Sequence, residues 1–284
     1  MKVFKNLSLK EYNSYRVEAV GREVFFPESE NDLLELYKKH SEYILLGSGH
    51  NVILSKSYYE IPIIIFNGNF NTIKWDGNRG LEVEAGAMMH DVARVALDYG
   101  LTGIEIFYDI PSSLGGAVVM NAGASGEEIK DVLVKVRYLD LEDMEIKEIV
   151  KEDLSFEYRN SFFQQNTDKI VLKAWLELAK GLRLRIQEKM ETVKAQRWAK
   201  QPKEFPNAGS VFKRPKGYYV GAIIDSLELK GFTIGGAKIS EKHGGFIVNF
   251  NNGSGADIIN LIHEVQTRVK KKYNFELEVE QRII

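Results

Sequence analysis

The segment Ile110-Pro111-Ser112-Ser113-Leu114-Gly115-Gly116-Ala117, together with Gly47-Ser48-Gly49-His50-Asn51, decides the fold of this chain. Both segments are glycine-rich and lie beside apolar runs typical of β-strands. Because glycine has no Cβ, backbone N–H groups in such loops can approach a pyrophosphate closely. Each loop alone is more often an ordinary turn. Two of them in one half of the chain favour a dinucleotide lying between them.

The first loop does not match the dinucleotide fingerprint of the Rossmann fold. Its third glycine position is Val52, and the following Ile53-Leu54-Ser55 does not begin an amphipathic helix. We therefore expect a fold that holds a dinucleotide such as FAD without a Rossmann unit.

Around these loops, short apolar runs alternate with turn residues and with amphipathic helical patterns, which predicts an α+β architecture. Ser29-Glu30-Asn31-Asp32 predicts the capped start of a helix, and Gly100 the end of another. We expect strands near residues 43–46, 61–66, 81–85, 132–138, 169–176 and 244–250, a turn at Asn67-Gly68, and further helices near residues 89–99, 184–198, 218–227 and 256–273.

Length and composition limit the chemistry. A chain of 284 residues with 44% hydrophobic residues and 6 prolines is expected to fold into two or three packed units. It contains no cysteine, which excludes disulfides, Cys-ligated zinc, iron–sulfur clusters and thiol nucleophiles. The five histidines lack metal-ligand spacing, so we expect no metal. The sequence also lacks a G-x-S-x-G elbow and a Walker loop, which disfavours hydrolase and NTPase functions.

The charge is unevenly distributed along the chain. The net charge of −2 disfavours general nucleic-acid binding. Residues 181–216 nevertheless hold ten Lys and Arg against three Glu, a net +7, so the other 248 residues carry −9. This segment predicts a domain boundary and a local anion site, although a solvated basic helix would show the same pattern.

The N-terminus lacks the apolar stretch of a signal peptide, and the longest apolar run, residues 61–66, is too short to span a bilayer. We expect a cytoplasmic protein without membrane contact.

Three polar residues in the second half are candidates for chemistry. Arg159 lies among aromatic residues, where its guanidinium could be partly buried and point at a carboxylate, or simply form a structural ion pair. Ser210 follows Gly209 in the basic segment, where a lone serine is usually a cap. Glu280 lies in the C-terminal run 278–284, a pattern typical of an edge strand with solvated charges.

Seven segments in order together resemble one family, the UDP-N-acetylenolpyruvoylglucosamine reductases of bacterial peptidoglycan precursor synthesis. They are residues 46–51, 110–126, 158–161, 208–213, 229–237, 240–243 and 280–284. The short spacing between Ser210 and the C-terminal helix, without a tyrosine-bearing loop, resembles the shorter type of the family.

The resemblance implies a vanillyl-alcohol-oxidase-like two-part FAD-binding fold plus a C-terminal α/β substrate-binding domain. The expected domains are residues 1–67, joined by 277–284, then 68–180, and the substrate-binding domain 181–276. The cofactor FAD would be bound by Leu46, Gly47, Ser48, Gly49, His50, Asn51, Ile110, Pro111, Ser112, Ser113, Gly115, Gly116, Ala117, Asn121, Gly123 and Ala124.

The resemblance also implies a reaction. NADPH would reduce the flavin and leave, and UDP-N-acetylglucosamine enolpyruvate would then enter the same site and be reduced to UDP-N-acetylmuramate, a ping-pong scheme. Arg159 and Glu280 would stabilise the enolate, and Ser210 would protonate the α-carbon. The substrate would be bound by Lys200, Asn207, Lys213, Arg214 and His243. We expect a monomer.

Three departures from the family pattern stand out. Asp109 and Ser112 replace residues of the family's G-I-P-G-S/T segment, and Ser14-Tyr15-Arg16-Val17 lacks a following glycine pair. His50 stands where the family commonly has serine. Related oxidases bind flavin covalently through the histidine of a glycine-glycine-histidine loop, so His50 is a candidate for such a link.

Two other functions fit parts of the pattern. An oxidase of the same FAD fold acting on an alcohol or hydroxy acid would not need Arg159, Ser210 and Glu280 together. A flavin or nucleotide-sugar binding module without catalysis would have no use for a proton donor, so the presence of all three residues argues against it.

Overall fold

The computed structural model describes residues 1–40, 42–66 and 69–284. The turn expected at Asn67-Gly68, and with it the boundary expected between residues 67 and 68, lies outside this part of the chain. In the described part, the α-helices are α1 Glu30–Lys39, α2 Met89–Asp98, α3 Leu114–Val119, α4 Phe162–Gln165, α5 Arg183–Lys200, α6 Val220–Ser226 and α7 Gly255–Tyr273.

The strands are β1 Lys2–Ser8, β2 Val20–Phe26, β3 Ile44–Leu46, β4 Val52–Ile53, β5 Tyr58–Tyr59, β6 Ile63–Ile65, β7 Ile73–Trp75, β8 Gly80–Glu84, β9 Leu101–Thr102, β10 Gly123–Ala124, β11 Glu127–Glu128, β12 Leu133–Asp140, β13 Glu145–Val150, β14 Lys169–Glu177, β15 Ala179–Lys180, β16 Thr233–Ile234, β17 Ala237–Ile239, β18 Ile247–Asn249 and β19 Arg282–Ile283. Short 3₁₀ turns occupy Lys10–Tyr12, Glu105–Tyr108, Ile129–Asp131 and Lys151–Leu154.

The chain divides into two compact units, each built from separate stretches of sequence. The first unit comprises Met1–Phe4, Val24–Ser48 and Pro62–Gln196, and the second comprises Lys5–Glu23, Gly49–Ile61 and Arg197–Ile284. β1, β2 and α5 each contribute residues to both units. The three-domain organisation expected above stays a prediction.

The first unit is built around an antiparallel sheet with the strand order β13-β12-β14-β8-β7. A second group of strands is parallel: β6 pairs with β2 at Val24–Ile63 and with β3 at Leu45–Ile64. Apolar side chains of these strands and of α1, α2 and α3 form one continuous buried core. Burying this apolar surface is the main favourable term in folding the unit.

The second unit packs α6 and α7 with the small antiparallel sheet β16-β17-β18. In α7, Ile258, Leu261, Ile262, Val265 and Val269 recur at helical spacing and are buried. The parallel pair β4–β19 joins Val52–Ile53 to the C-terminal strand.

Most predicted elements are present with boundaries shifted by one to three residues. The helix that the pattern places at 218–227 spans Val220–Ser226, and the strand placed at 244–250 is limited to Ile247–Asn249. None of the described helices combines the length and the apolar character that crossing a membrane requires.

The interpretation of residues 110–117 as a loop is wrong in its second half. A helix, α3, begins at Leu114, because the Ser113 hydroxyl caps it by accepting a hydrogen bond from the Gly116 amide. Only residues 110–113 form a loop.

Candidate active site

In the first unit, the two glycine-rich segments meet. The Ser48 hydroxyl accepts a hydrogen bond from the Ser113 amide at 3.0 Å, although 65 positions separate the two residues. A Cβ added to Gly47 would lie 2.6 Å from the Ser113 hydroxyl. A larger residue at position 47 would force the Ser113 side chain to move.

The amides at the start of α3 are already used inside the protein. Those of Leu114 and Gly115 donate to the carbonyl oxygens of Ala87 and Ala85, and that of Gly116 donates to Ser113. The first two bonds hold the start of α3 against the residues that follow β8, and the third caps the helix. The amides of Leu114, Gly115 and Gly116 are therefore not available to a pyrophosphate. Within this segment, the prediction applies only to the residues before α3.

The loop also contains a buried hydroxyl, that of Ser112. The Ser112 hydroxyl is buried and lacks a hydrogen-bond partner among the described residues. A buried unsatisfied hydroxyl is costly, so a ligand with acceptor oxygens would stabilise it. The serine that departs from the family pattern therefore fits an anionic ligand.

Asn121 is completely buried just after α3, in a left-handed conformation with φ +42°. Its side-chain amide donates to a Glu128 carboxylate oxygen at 3.0 Å and to the Glu157 carbonyl at 2.9 Å. These bonds fix the chain that leads to Gly123 and Ala124. The side chain of Asn121 is thus engaged with protein, and its contact with a cofactor stays a prediction.

Arg159 is bound to the same segment. Its guanidinium donates to the Gly123 carbonyl at 2.8 Å and to the Asn121 carbonyl at 3.3 Å, and one nitrogen lies 4.0 Å from a Glu128 carboxylate oxygen. The guanidinium also lies 5.0 Å from the centre of the Tyr158 ring. Its side chain is 17% exposed, so one edge is held by protein while part remains accessible. The expected partial burial among aromatic residues is confirmed.

In the second unit, Gly49 lies against the backbone of an earlier turn. It has φ +71°, and a Cβ would fall 2.1 Å from the Tyr12 carbonyl oxygen. The Gly49 carbonyl accepts a hydrogen bond from the Ser14 amide at 3.0 Å. Both the backbone conformation and the close approach require glycine here.

Asn51 connects this loop to the C-terminus. Its side-chain amide donates to the Glu280 carbonyl at 3.2 Å, and its own carbonyl accepts from the Arg282 amide at 2.9 Å. A predicted cofactor-binding residue and a predicted catalytic residue are therefore neighbours in the second unit.

Ser210 lies on an extended segment between two others. Ser210 pairs with Phe246 on one side, and Phe212 pairs with Val279 on the other. The Glu280 amide donates to the Val211 carbonyl at 2.8 Å. The structure thus places Ser210, the predicted proton donor, and Glu280, predicted to stabilise the enolate, on adjoining segments. Ser210 is exposed and Glu280 is partly buried.

Of residues 278–284, which the pattern predicts as an edge strand with solvated charges, Arg282 and Ile283 form the exposed strand β19, whereas Gln281 is buried. Val279 pairs with Phe212, Arg282 and Ile283 pair with β4, and the Ile284 carbonyl accepts from the Ser55 amide. The sequence lacks a long apolar run here, so its pattern could not show that the segment is paired along both ends.

The predicted substrate-binding residues lie on several loops of the second unit. Asn207 is engaged internally: its amide donates to the carbonyls of Pro202 and Phe205, and its side-chain oxygen accepts from the Gly209 amide. It shapes the turn that precedes Ser210. His243 accepts from the Gly245 amide, and burial lowers the pKa of its imidazole.

The basic residues differ in their surroundings. Lys200 is exposed at the end of α5, and the Arg214 guanidinium stacks 3.9 Å from the centre of the Tyr219 ring. Lys213 forms an ion pair of 2.5 Å with Glu278. In the first unit, Lys189 lies 3.2 Å from the buried Glu105 and 3.0 Å from Glu127. Part of the +7 segment is therefore neutralised by protein carboxylates.

One carboxylate cluster has the spacing of a metal site. Oxygens of Asp140, Glu142 and Asp168 lie within 4.8 Å of one another. The ammonium groups of Lys147 and Lys169 lie 2.8 Å and 2.5 Å from Asp140 and hold the pKa of that carboxyl well below its usual range. Lysines occupy the positions that a cation would need, so the cluster is an ion-pair network.

Two polar residues that motif reasoning did not single out are central to the second unit. Gln281 donates to the carbonyls of Ala208, Gly209 and Ser210, and the Tyr15 hydroxyl donates to its side-chain oxygen. Both stand inside quoted motifs, at 280–284 and 14–17, but only the tertiary contacts show their role.

Comparison with known proteins gives two family matches. Residues 22–149 match the family described as FAD binding domain, and residues 201–284 match UDP-N-acetylenolpyruvoylglucosamine reductase, C-terminal domain. FAD is the cofactor expected from the sequence, and the match confirms it.

Relatives match along almost the whole chain. The UDP-N-acetylenolpyruvoylglucosamine reductase of Francisella tularensis is 40% identical, covering 98% of this chain and 99% of its own length. That of Caldanaerobacter subterraneus is 40% identical, covering 100% and 94%. The crystal structure of the Thermus caldophilus reductase matches with a TM-score of 0.84 at 31% identity, covering 100% and 99%. The predicted α+β, vanillyl-alcohol-oxidase-like FAD-binding fold with a C-terminal substrate-binding domain is confirmed.

Proposed function

Because this chain belongs to the UDP-N-acetylenolpyruvoylglucosamine reductase family, we propose that it reduces UDP-N-acetylglucosamine enolpyruvate to UDP-N-acetylmuramate with NADPH as the reductant. The observation that carries the proposal is the pairing of residues 211–213 with 278–280, which places Ser210 and Glu280 on adjoining segments. A binding module without chemistry would not need this arrangement.

The residues proposed to hold FAD fall into those with polar groups open to a ligand, such as Ser112, and those whose polar groups are already bonded within the protein, such as Gly115, Gly116 and Asn121. In the first unit they are Leu46, Gly47, Ser48, Ile110–Ser113, Gly115–Ala117, Asn121, Gly123 and Ala124, and in the second Gly49, His50 and Asn51. Support comes from the Ser112 hydroxyl, which is buried and has no hydrogen-bond partner among the described residues. Bound at these residues, FAD would supply the two-electron redox chemistry between NADPH and the substrate.

The protein supplies the proton and the charge stabilisation. Addition of hydride to the terminal vinyl carbon leaves negative charge on the α-carbon and its carboxylate, and a proton must then reach the α-carbon to complete the product. We assign this proton to the Ser210 hydroxyl. A hydroxyl is a weak acid in water, so its efficiency depends on positioning and on nearby positive charge.

Arg159 and Glu280 are assigned to the developing charge. Arg159 already uses one edge of its guanidinium on the carbonyls of Asn121 and Gly123, which leaves the group oriented before substrate arrives. Preorganised donors stabilise a transition state because they need no reorganisation during the reaction. Glu280, protonated or hydrogen-bonded, would polarise the substrate carboxylate.

Lys200, Asn207, Lys213, Arg214 and His243 are proposed to recognise the nucleotide-sugar diphosphate and its surroundings. Lys213 forms an ion pair with Glu278, and the Asn207 side chain bonds to the protein backbone. Both side chains therefore already have protein partners before a substrate binds. Lys200 and Arg214 are exposed, so they are the cations of this group best placed to meet a phosphate.

An anaerobic titration tests the proposal. The flavin spectrum is recorded after one equivalent of NADPH and again after the enolpyruvyl substrate. Reduction by NADPH followed by reoxidation with substrate supports the reductase. Reduction by an alcohol or hydroxy acid instead of NADPH identifies the oxidase, and no change with either identifies the binding module.

Ser210→Ala separates the two half-reactions. We expect NADPH to reduce its flavin at the rate of the parent, while reoxidation by substrate falls by about 10³-fold or more, the scale of a lost proton donor. Unchanged reoxidation would show that another group is the acid.

The candidate covalent link through His50 has its own test. The purified protein is precipitated with acid, and the colour of the pellet is compared with that of the supernatant. Yellow colour left entirely in the supernatant rules out the link.

A further inference from the structure

We propose that Gln281, oriented by Tyr15, is a positioning residue that holds the Ser210 turn in register with the segment carrying Glu280. This inference rests on the proposed function, because it assigns to Gln281 the alignment of the proton donor. Gln281 itself does not touch the reacting atoms.

The amide of Gln281 spans the turn before Ser210. Its nitrogen lies 3.0 Å from the Ala208 carbonyl, 3.2 Å from the Gly209 carbonyl and 3.4 Å from the Ser210 carbonyl. The side chain is buried, with a relative exposure of 4%. The NH₂ group has two hydrogens for three carbonyls, so the long contact to Ser210 shares a hydrogen with a neighbouring bond, and one buried group contacts three consecutive peptide units of the turn.

Tyr15 fixes which end of the amide faces the turn. Its hydroxyl lies 2.9 Å from the side-chain oxygen of Gln281, and its ring is fully buried. A carbonyl oxygen can only accept, so the three backbone carbonyls require the nitrogen of Gln281, and the phenol must then donate to the oxygen. Each polar atom in the group has one consistent role.

The turn itself supplies little stiffness. Gly209 has φ +81°, and the space where its Cβ would lie holds no atom within 4 Å. Glycine at such a position gains the most conformational freedom when external contacts are lost. The side chains of Asn207, on the Gly209 amide, and of Gln281, on the carbonyls, both hydrogen-bond to this backbone.

The same residue is linked to Glu280 through the chain. Gln281 follows Glu280 directly, and the Glu280 amide donates to the Val211 carbonyl at 2.8 Å. In the chain, Ser210 lies between Gly209, whose carbonyl Gln281 contacts, and Val211, whose carbonyl accepts from the Glu280 amide. A shift of the Gln281 side chain would therefore move Ser210 relative to Glu280, and proton transfer from a weak acid is sensitive to such shifts.

The first test is Gln281→Glu with Gln266→Glu as the matched control. Gln266 also donates its side-chain amide to a backbone carbonyl of the second unit, that of Leu277 at 2.8 Å. In Gln281→Glu an ionised carboxylate would face three carbonyls and lose every donor. We expect reoxidation by the enolpyruvyl substrate to slow by about 10²-fold at pH 8, the scale of a misplaced catalytic group.

The pH profile distinguishes positioning from general damage. Protonation of the new carboxyl restores one donor toward the carbonyls, so the reoxidation rate of Gln281→Glu should rise toward the parent as the pH falls. The rate of flavin reduction by NADPH should stay within about twofold of the parent rate at every pH, because Ser210 has no proposed role in that half-reaction. Gln266→Glu should match the parent in both half-reactions.

Hydrogen–deuterium exchange of the peptide 207–213 gives a readout independent of activity. Exchange should be faster in Gln281→Glu than in the parent and unchanged in Gln266→Glu. If Gln281→Glu does not fold, Tyr15→Phe is the alternative variant, because it removes only the hydroxyl that bonds to Gln281. We expect a smaller increase in exchange and a reoxidation rate lowered by about three- to tenfold.

The outcomes separate the two hypotheses. A parent protein that is reduced by NADPH but not reoxidised by substrate rejects the proposed function, and the exchange measurement still decides whether Gln281 restrains the turn. An active parent with unchanged exchange or unchanged reoxidation in Gln281→Glu overturns the positioning role.

Discussion

A guanidinium nitrogen of Arg159 donates a 2.8 Å hydrogen bond to the carbonyl oxygen of Gly123, 36 positions earlier in the chain. A second nitrogen donates to the Asn121 carbonyl at 3.3 Å. The planar fork of arginine makes both bonds at once, which a lysine ammonium on a flexible stem cannot do with the same orientation.

We therefore expect Arg159→Lys to retain its charge but lose its alignment. Reoxidation of the reduced enzyme by the enolpyruvyl substrate should fall by about 10²-fold, and reduction by NADPH should change little. Stopped-flow absorbance of the flavin measures both steps. The control is Arg137→Lys, which breaks a two-point contact with Glu30 on the first unit and should leave both rates unchanged.

Gly49→Ala should destabilise the protein and lower its FAD content. The new Cβ would lie 2.1 Å from the Tyr12 carbonyl oxygen, and the residue has φ +71°. The backbone conformation alone costs about 1–2 kcal/mol, and the collision adds to it. Urea unfolding and the ratio of flavin to protein absorbance measure the two effects.

Gly217→Ala separates the two causes. Gly217 has a similar φ of +80°, but nothing lies within 4 Å of its Cβ position. It should lose about 1–2 kcal/mol and keep its FAD. Equal losses in both variants would mean that the contact with Tyr12 is relieved by a backbone shift.

Ser254→Ala should weaken the start of α7. Ser254 accepts a hydrogen bond from the Asp257 amide, and the Asp257 carboxylate accepts from the Ser254 amide. Loss of such a cap costs about 1 kcal/mol, visible as a lower urea midpoint. Ser57→Ala, which removes an exposed hydroxyl in the same unit, is the control and should unfold like the parent.

The Asp140 ion pairs should make stability depend on acidic pH. The ammonium groups of Lys147 and Lys169 lower the pKa of the Asp140 carboxyl in the folded protein. A lowered folded pKa stabilises the protein above the unfolded value near 4, and this contribution is lost as the pH falls through the folded value.

Asp140→Asn removes that contribution. The variant should unfold at lower urea than the parent at pH 7, and the difference should shrink as the pH is lowered below about 4. Asp153→Asn, which removes one exposed charge of the same unit, controls for net charge. A difference that stays constant down to pH 3 would contradict the assignment.

Much of this molecule follows from local patterns. The helical spacing of Ile258, Ile262, Val265 and Val269 predicts α7, and the serine at position 29 predicts the start of α1. Both signals act within a few residues, since helix caps and apolar faces depend on near neighbours. The glycine-rich motifs likewise indicate an FAD-binding fold through residue types alone, and the family match confirms it.

Other features of the structure could not be predicted from local sequence patterns, for physical reasons. The helix α3 contains Gly115 and Gly116, which have low helix propensity, and it forms because Ser113 caps it and because strand-end carbonyls accept its first amides. Residues 278–284 are held by backbone pairing with distant segments and by the Gln281 side chain, and local side-chain composition does not reveal either kind of partner.

The sequence by itself determined the family, the cofactor and the residue types available for catalysis, because these depend on short motifs whose chemistry is carried by the side chains themselves. Only the tertiary structure decided that Ser48 meets Ser113, that Arg159 is tied to Gly123, and that Gln281 connects Tyr15 with the Ser210 turn. These partners are 65, 36 and 266 positions apart. Such contacts form because a polar group buried away from water is stabilised by a partner in the folded chain, however distant that partner is in sequence.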